Sequence, residues 1–246
     1  MHYISMHISP INNYKNNYTS FKSVNRYVRS NDGRFYQTFT QFFRTDVKWS
    51  DFVNFLENKY KNTSKVNIFN MACSEGAETC SVAIALAENL KENSKKFHIF
   101  ASDIDLKNIE IAQGGIWDIT NRELYRLNKM TNNKFDKYFM PETCSTGEIS
   151  KLKLKPELKD RLEFKVSDIL TEIKNAPKKD SVFMIRNVWP YLNFDERTEI
   201  LRELAKLDKS CCVVIGEIDS THDVGQALEF YGFKKTPIIN VYEKEF

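Results

Sequence analysis

Apolar positions recur at helical spacing from Trp49 to Tyr60, through Phe52, Val53 and Leu56. From Val66 onward the pattern changes. Short apolar runs of β type alternate with longer amphipathic runs. They predict strands at 66–71, 97–102, 162–167, 181–186, 211–216 and 236–243, and helices at 78–92, 105–113, 195–207 and 222–230. Strands alternating with helices predict an α/β fold built on a doubly wound parallel sheet. Gly232 precedes the last strand, which is expected to close the sheet edge.

Two regions break the alternation. After Gly114-Gly115-Ile116-Trp117 come two short helical patterns, about 120–128 and 131–138. Residues 139–156 follow, punctuated by Pro141, Gly147 and Pro156, with Ile149, Leu152 and Leu154 as a short strand pattern. This predicts a small β-insertion at 139–156. The other region is the N-terminus. Residues 1–34 are rich in Asn, Ser and Tyr, and Lys15, Lys22, Arg26, Arg29 and Arg34 face the single acid Asp32. The segment reads either as partly disordered or as a short helical cap with a basic face. The expected organisation is an N-terminal helical or partly disordered segment, 1–62, before a domain at 63–246.

Composition narrows the class. A chain of 246 residues with 41% apolar and 28% charged residues suits one α/β domain with a small appendage. The net charge of +3 gives no global signal for a polyanion, so no nucleic-acid partner is expected. No apolar run approaches the roughly 20 residues that span a bilayer, so no membrane insertion is expected. Five cysteines (Cys73, Cys80, Cys144, Cys211, Cys212) lack metal-ligand spacing. No metal site is expected, and a reduced, cytoplasmic protein is the simplest reading.

The chemistry concentrates where predicted strands end. Val66–Met71 runs into a small-residue turn, Ala72-Cys73-Ser74-Glu75-Gly76, and a helix-forming run follows. The next strand ends in Asp103-Ile104-Asp105. Such a βαβ unit suits a nucleoside cofactor: the turn lets backbone approach the ligand, and the acid accepts hydrogen bonds from ribose hydroxyls. The turn has Gly76 alone rather than G-x-G-x-x-G, and it has no P-loop lysine. A cofactor with ribose but no phosphate fits better, and S-adenosylmethionine is the obvious candidate. Ligands of open α/β sheets bind outside the carboxyl ends of the strands. The other groups delivered there are Ser167-Asp168-Ile169-Leu170 and Arg186-Asn187-Val188-Trp189-Pro190-Tyr191.

Five ordered segments resemble the chemotaxis receptor methyltransferases, the CheR-type protein-glutamate O-methyltransferases. Thr40-Gln41-Phe42-Phe43-Arg44 is similar to T-x-F-F-R-E, and Ala72-Cys73-Ser74-Glu75-Gly76-Ala77-Glu78 to A-C-S-T-G-E-E. Ala101-Ser102-Asp103-Ile104-Asp105 is similar to A-T/S-D-I-D, and Arg186–Tyr191 to R-N-V-x-x-Y. Ile215-Gly216-Glu217 stands where the family has L-G-H. The resemblance runs from about Phe39 to the C-terminus and implies a Rossmann-like methyltransferase sheet.

The resemblance also implies roles. Arg44 would pair with the methionyl carboxylate of the cofactor or with an incoming substrate carboxylate. Ala72 (through its carbonyl) and Glu78 would hold the methionyl amino end, with Ser74 and Gly76 in the same cofactor turn. Asp103 would take the ribose hydroxyls. Asp168, where the family usually has Asn, would accept from the adenine amino group, and Ile169 would pack on the ring. Asn187 would join the cofactor residues, and Arg186 and Tyr191 would lie with Arg44 at the transfer site. The implied reaction moves a methyl from S-adenosylmethionine to glutamate side chains of the cytoplasmic part of a chemoreceptor or another acidic helical protein, leaving S-adenosylhomocysteine.

Departures from the family motifs fall on the substrate side. Thr45 stands where the family has an acid, and Ala77 replaces the first Glu of its pair. The N-terminal helical segment and the β-insertion are shorter than usual, and tethering to a receptor tail peptide is not expected. A related methyltransferase with a different protein or small-acid acceptor, or a non-catalytic cofactor-binding scaffold, therefore stand as alternatives.

Overall fold

The computed structural model describes residues 26–29, 35–38 and 40–245. Seven strands form the main sheet: β1 (Val66–Met71), β2 (Phe97–Asp103), β3 (Leu162–Val166), β4 (Ser181–Ile185), β5 (Cys212–Ile215), β6 (Phe233–Lys235) and β7 (Val241–Lys244). Their spatial order is β6-β7-β5-β4-β1-β2-β3. β1 to β5 run parallel, and β7 is antiparallel to both β5 and β6. The chain moves outward from β1 to β3 and then returns to the other side of β1 to lay down β4. That reversal makes a crevice at the carboxyl ends of β1 and β4, where open α/β sheets bind ligands.

Side chains of β1 alternate between two cores. Val66 and Ile68 join one face, with Phe52 and Leu56 of the helix Trp49–Lys59 and Ala83 and Leu86 of the helix Ala77–Leu90. Phe69 and Met71 join the other, with residues of the helices Ile169–Asn175, Phe194–Ala205 and Val224–Phe230. Burial on both faces is what near-continuous apolar parallel strands require. Asn70 is polar within this run, and its amide donates to Thr79 Oγ1 at 2.9 Å, fastening β1 to the helix that follows it.

The structure departs from the sequence reading in several places. Of the expected final strand at 236–243 only 241–243 is strand, in β7; residues 236–240 form the turn that joins it to β6, which precedes the expected range. Pro237 has no N–H for a ladder, and Asn240 takes a left-handed φ of 62° at the turn. The helix Ile169–Asn175 was not anticipated; it is seven residues long, with too few turns to show a periodic pattern. The expected helix at 131–138 is only a 3-10 turn, Phe135–Lys137, since Asn132 and Asn133 both adopt positive φ. The insertion is larger than a hairpin. Ile116–Asp118 and Phe139–Thr143 flank Ile149–Leu154 in a three-stranded antiparallel sheet.

At the N-terminus, Arg26–Arg29 and Phe35–Thr38 pair as antiparallel strands rather than as a helical cap. Tyr27-Val28 and Phe35-Tyr36 are strand-forming residues, and that preference outweighs the basic pattern. The remainder of the proposed cap, residues 1–25 and 30–34, lies outside the described residues. No helix among the described residues is long and apolar enough to cross a membrane.

Candidate active site

Four strand ends and one strap form a single cleft. Its lining includes Thr40 and Arg44 from the strap, Ala72, Ser74 and Glu78 after β1, and Asp103 at the end of β2. Asp168 and Ile169 follow β3, and Arg186, Asn187 and Tyr191 follow β4. The cleft holds roughly 1230 Å3 of empty space, part of it open to solvent. Ten of the eleven residues singled out from the sequence line it. Gly76 does not.

Gly76 instead makes the turn possible. Its φ is +84°, and a Cβ there would stand 2.9 Å from both Ala112 Cβ and Phe164 Cε1. The residue lets the helix Ala77–Leu90 start close against its neighbours. Ala72 and Ser74 also have positive φ, 54° and 52°. Non-glycine residues in this region carry strain that the surroundings must hold, a feature that clusters at ligand sites.

Asp103 is central to that support. Its Oδ2 accepts from the Ser74 N–H at 2.7 Å, and its Oδ1 accepts from the Asp105 N–H at 3.0 Å and Asn108 Nδ2 at 3.1 Å. Burial pushes its carboxyl up from the ordinary value, and these donors pull against that shift. Asp105 caps the helix Leu106–Gly114, accepting from the Lys107 N–H at 2.9 Å. Asp168 does the same for the helix Ile169–Asn175, taking Thr171 N–H at 2.9 Å and Thr171 Oγ1 at 2.6 Å. Burial pushes the Asp168 carboxyl up, but the hydrogen bonds outweigh it and hold the group below its ordinary value.

The strap is clamped from both sides. Glu78 N–H donates to Thr40 Oγ1 at 3.2 Å, and Phe43 N–H donates to Ser81 Oγ at 2.9 Å. From the insertion side, Glu123 Oε1 accepts from the Phe42 N–H at 3.2 Å, and Arg126 Nη1 donates to the Phe43 carbonyl at 3.3 Å. The Phe42 ring meets Trp117 and Phe139 edge-on, each at 5.4 Å. The Phe42 ring is thus a fastener, and the strap it anchors carries Arg44 to the cleft.

Arg186 lies in a buried ionic cluster. One Nη bonds Glu78 and the other reaches Asp46 Oδ2 at 2.7 Å. Its side chain is only 2% exposed. Burial alone would lower Arg186, but Glu78 and Asp46 outweigh it and keep the guanidinium charged. Burial pushes the Glu78 carboxyl up, against the pull of Arg186 and Arg44. Arg186 thus orients Glu78, while Arg44 is the more exposed cation, its side chain 18% accessible. Two further acids were missed by sequence reasoning. Asp46 stands one residue after Thr45 and supplies a carboxylate to this cluster. Asp219 accepts backbone N–H groups from Gly216 and Trp189 at 2.7 and 3.2 Å, and from Asn187. Its signal was faint: an acid three residues past the end of an apolar strand.

A family model described as CheR methyltransferase, SAM binding domain, matches residues 38–236. The chain belongs to this family. The match covers the strap, the five parallel strands and the loops that line the cleft. Among curated proteins, the chemotaxis protein methyltransferase of Salmonella typhimurium is 29% identical over 153 residues, 62% of this chain and 51% of the relative. That of Escherichia coli is 28% identical over 149 residues, 61% of this chain and 50% of the relative. That of Borreliella burgdorferi is 30% identical over 168 residues, 65% and 55% of the two chains. The chain spans about half the length of these relatives.

The CheR-type cleft suits S-adenosylmethionine on its own chemistry. Ser74 Oγ and Asn187 Oδ1 are buried and have no hydrogen-bond partner among the described residues. Both belong to residues that line the cleft, and a ligand bearing amino, carboxylate and hydroxyl groups would satisfy them. Among the described residues no three metal-ligating side chains come together.

Proposed function

We propose that this CheR-type domain transfers a methyl group from S-adenosylmethionine to glutamate side chains in the cytoplasmic part of a chemoreceptor-like protein, and that it works in the cytoplasm. The observation that carries this reading is Arg44, held by a clamped strap, which lines the same cleft as Asp103. A nucleoside end and a carboxylate end are thereby provided for in one cavity.

Asp103 would receive the ribose hydroxyls. Glu78 and the Ala72 carbonyl would receive the amino end, with Ser74 beside them. Asp168, Ile169 and Asn187 would border the adenine and ribose. Both Asp168 oxygens already accept from Thr171, so its remaining lone pairs are the ones left for the adenine amino group. Arg44 would pair with a carboxylate, for which its planar fork is better matched than lysine. Tyr191 would lie at the transfer site. Arg186 would act by holding Glu78.

When bound, S-adenosylmethionine supplies a sulfonium methyl, whose carbon–sulfur bond breaks as the bond to the acceptor oxygen forms, leaving S-adenosylhomocysteine. A glutamate carboxylate is ionised at neutral pH and needs no general base. The work left to the protein is alignment and exclusion of water, largely a proximity effect. A transferase with another acceptor is the second reading, favoured by Ala77. Asp46 weakens that reading, because it returns to the cluster the acid that Thr45 lacks.

The test is incubation with the cofactor and a purified receptor cytoplasmic domain, followed by peptide mass spectrometry. Methylation on glutamates, abolished by Arg44→Ala, is the expected result. Methylation that persists in Arg44→Ala would remove Arg44 from the mechanism, and modification of another residue type would replace the acceptor.

A further inference from the structure

The loop after β4 carries Arg186, Asn187 and Tyr191, and something must fix its shape. Its backbone is not relaxed: Asn187 adopts a left-handed φ of 57°. The side chain of Asn187 covers Gly216 so closely that a Cβ there would stand 2.2 Å from Asn187 Oδ1. Beyond it, Trp189–Tyr191 forms a 3-10 turn, with Tyr191 N–H donating to the Val188 carbonyl at 2.9 Å.

One side chain ties this loop to the neighbouring strand end. Asp219 is fully buried, and it belongs to the helical turn Glu217–Ser220 that follows β5. Its carboxylate accepts N–H groups from Gly216, after β5, and from Asn187 and Trp189, after β4. A carboxylate suits this task because it offers acceptors only. Burial pushes its carboxyl up, and the three N–H donors and Arg186 oppose that.

We propose that Asp219 is a positioning residue for the transfer step, holding the backbone at Asn187 and Trp189 so that Tyr191 stands at the cleft. It does not line the cleft itself. It holds the backbone of Asn187, placed with the cofactor, and of the segment carrying Tyr191, so its effect would fall more heavily on turnover than on cofactor affinity. This rests on the methyl-transfer reading above.

The test is Asp219→Asn, which keeps the shape but turns an NH2 toward at least one backbone N–H. Three quantities are measured: amide exchange across residues 182–191, affinity for S-adenosylhomocysteine, and methyl transfer. Expected are faster exchange at Asn187 or Trp189 with Val182–Ile185 still protected, an affinity loss of no more than a few-fold, and a turnover lower by about 10-fold or more, the scale on which small misplacements act. Unchanged exchange at Asn187 and Trp189 would overturn the proposal. So would a loss of affinity as large as the loss of turnover, which would make Asp219 a general support of the site. The exchange result stands even if the wild type methylates no glutamate, so failure of the functional reading would be seen separately.

Discussion

Asp46 Oδ2 lies 2.7 Å from Arg186 Nη2, and Asp46 Oδ1 lies 3.7 Å from Arg44 Nε. One carboxylate thus links the arginine on the strap to the arginine at the end of β4. Removing one partner of a buried pair leaves a charge without compensation. Asp46→Ala is expected to lower unfolding free energy by about 3 kcal/mol, the low end for such pairs because Glu78 still holds Arg186. Denaturant unfolding measures it. Cofactor affinity should fall as well, since Arg44 loses a guide. A variant as stable as the wild type would show that the link is idle.

Gly76 answers to backbone geometry. Gly76→Ala would require a left-handed alanine and a Cβ 2.9 Å from two neighbours. A loss of about 1–3 kcal/mol is expected, the range for overpacking. Thermal unfolding with and without S-adenosylhomocysteine reads it. A wild-type melting temperature would mean the helix start can shift without cost.

Asp103 gives a pH signature. Its carboxyl is raised by burial, so it protonates at a higher pH than an exposed carboxylate. Protonation removes an acceptor that ribose hydroxyls would use. Affinity for S-adenosylhomocysteine should therefore fall on acidification, starting above the ordinary aspartate value, and Asp103→Asn should flatten that dependence. Stability carries the opposite sign. The folded chain takes this proton more readily than the unfolded one, so the Asp103 contribution grows as pH falls through the raised value and is lost as pH rises through it. Titration calorimetry across pH checks the affinity, and an unaltered dependence in Asp103→Asn would exclude Asp103 as the source.

Under the proposed function, Tyr191 would act on transfer rather than on binding. Tyr191→Phe should keep S-adenosylhomocysteine affinity while lowering turnover by roughly 10- to 100-fold, toward the loss seen when one donor leaves a transition-state site. Equal losses in both would make Tyr191 a cofactor contact instead.

Much of this site was legible because it lies at strand ends. The apolar runs located β1, β2 and β4, and the polar residues following each had to share one edge of the sheet. Arg44 and Tyr191 needed the family resemblance, since nothing in their local pattern says that a strap and a loop meet. Asp46 and Asp219 were missed because their roles are tertiary. Asp46 looks like any loop acid until Arg186 is brought to it from 140 positions away. Asp219 sits in a four-residue helical turn too short to be foreseen. Gly76 was read as a ligand contact, but its φ and the nearby Phe164 ring explain it by packing.

The central claim is carboxyl methylation. Its most direct test is incubation of the protein with methyl-labelled S-adenosylmethionine and chemoreceptor-bearing membranes, followed by mild alkali. Methyl esters hydrolyse there and release volatile methanol. Protein-bound label that leaves as methanol, and is absent with Arg44→Ala, is the expected result. Label that survives alkali would contradict it, because the methyl would then sit on an atom other than a carboxylate oxygen.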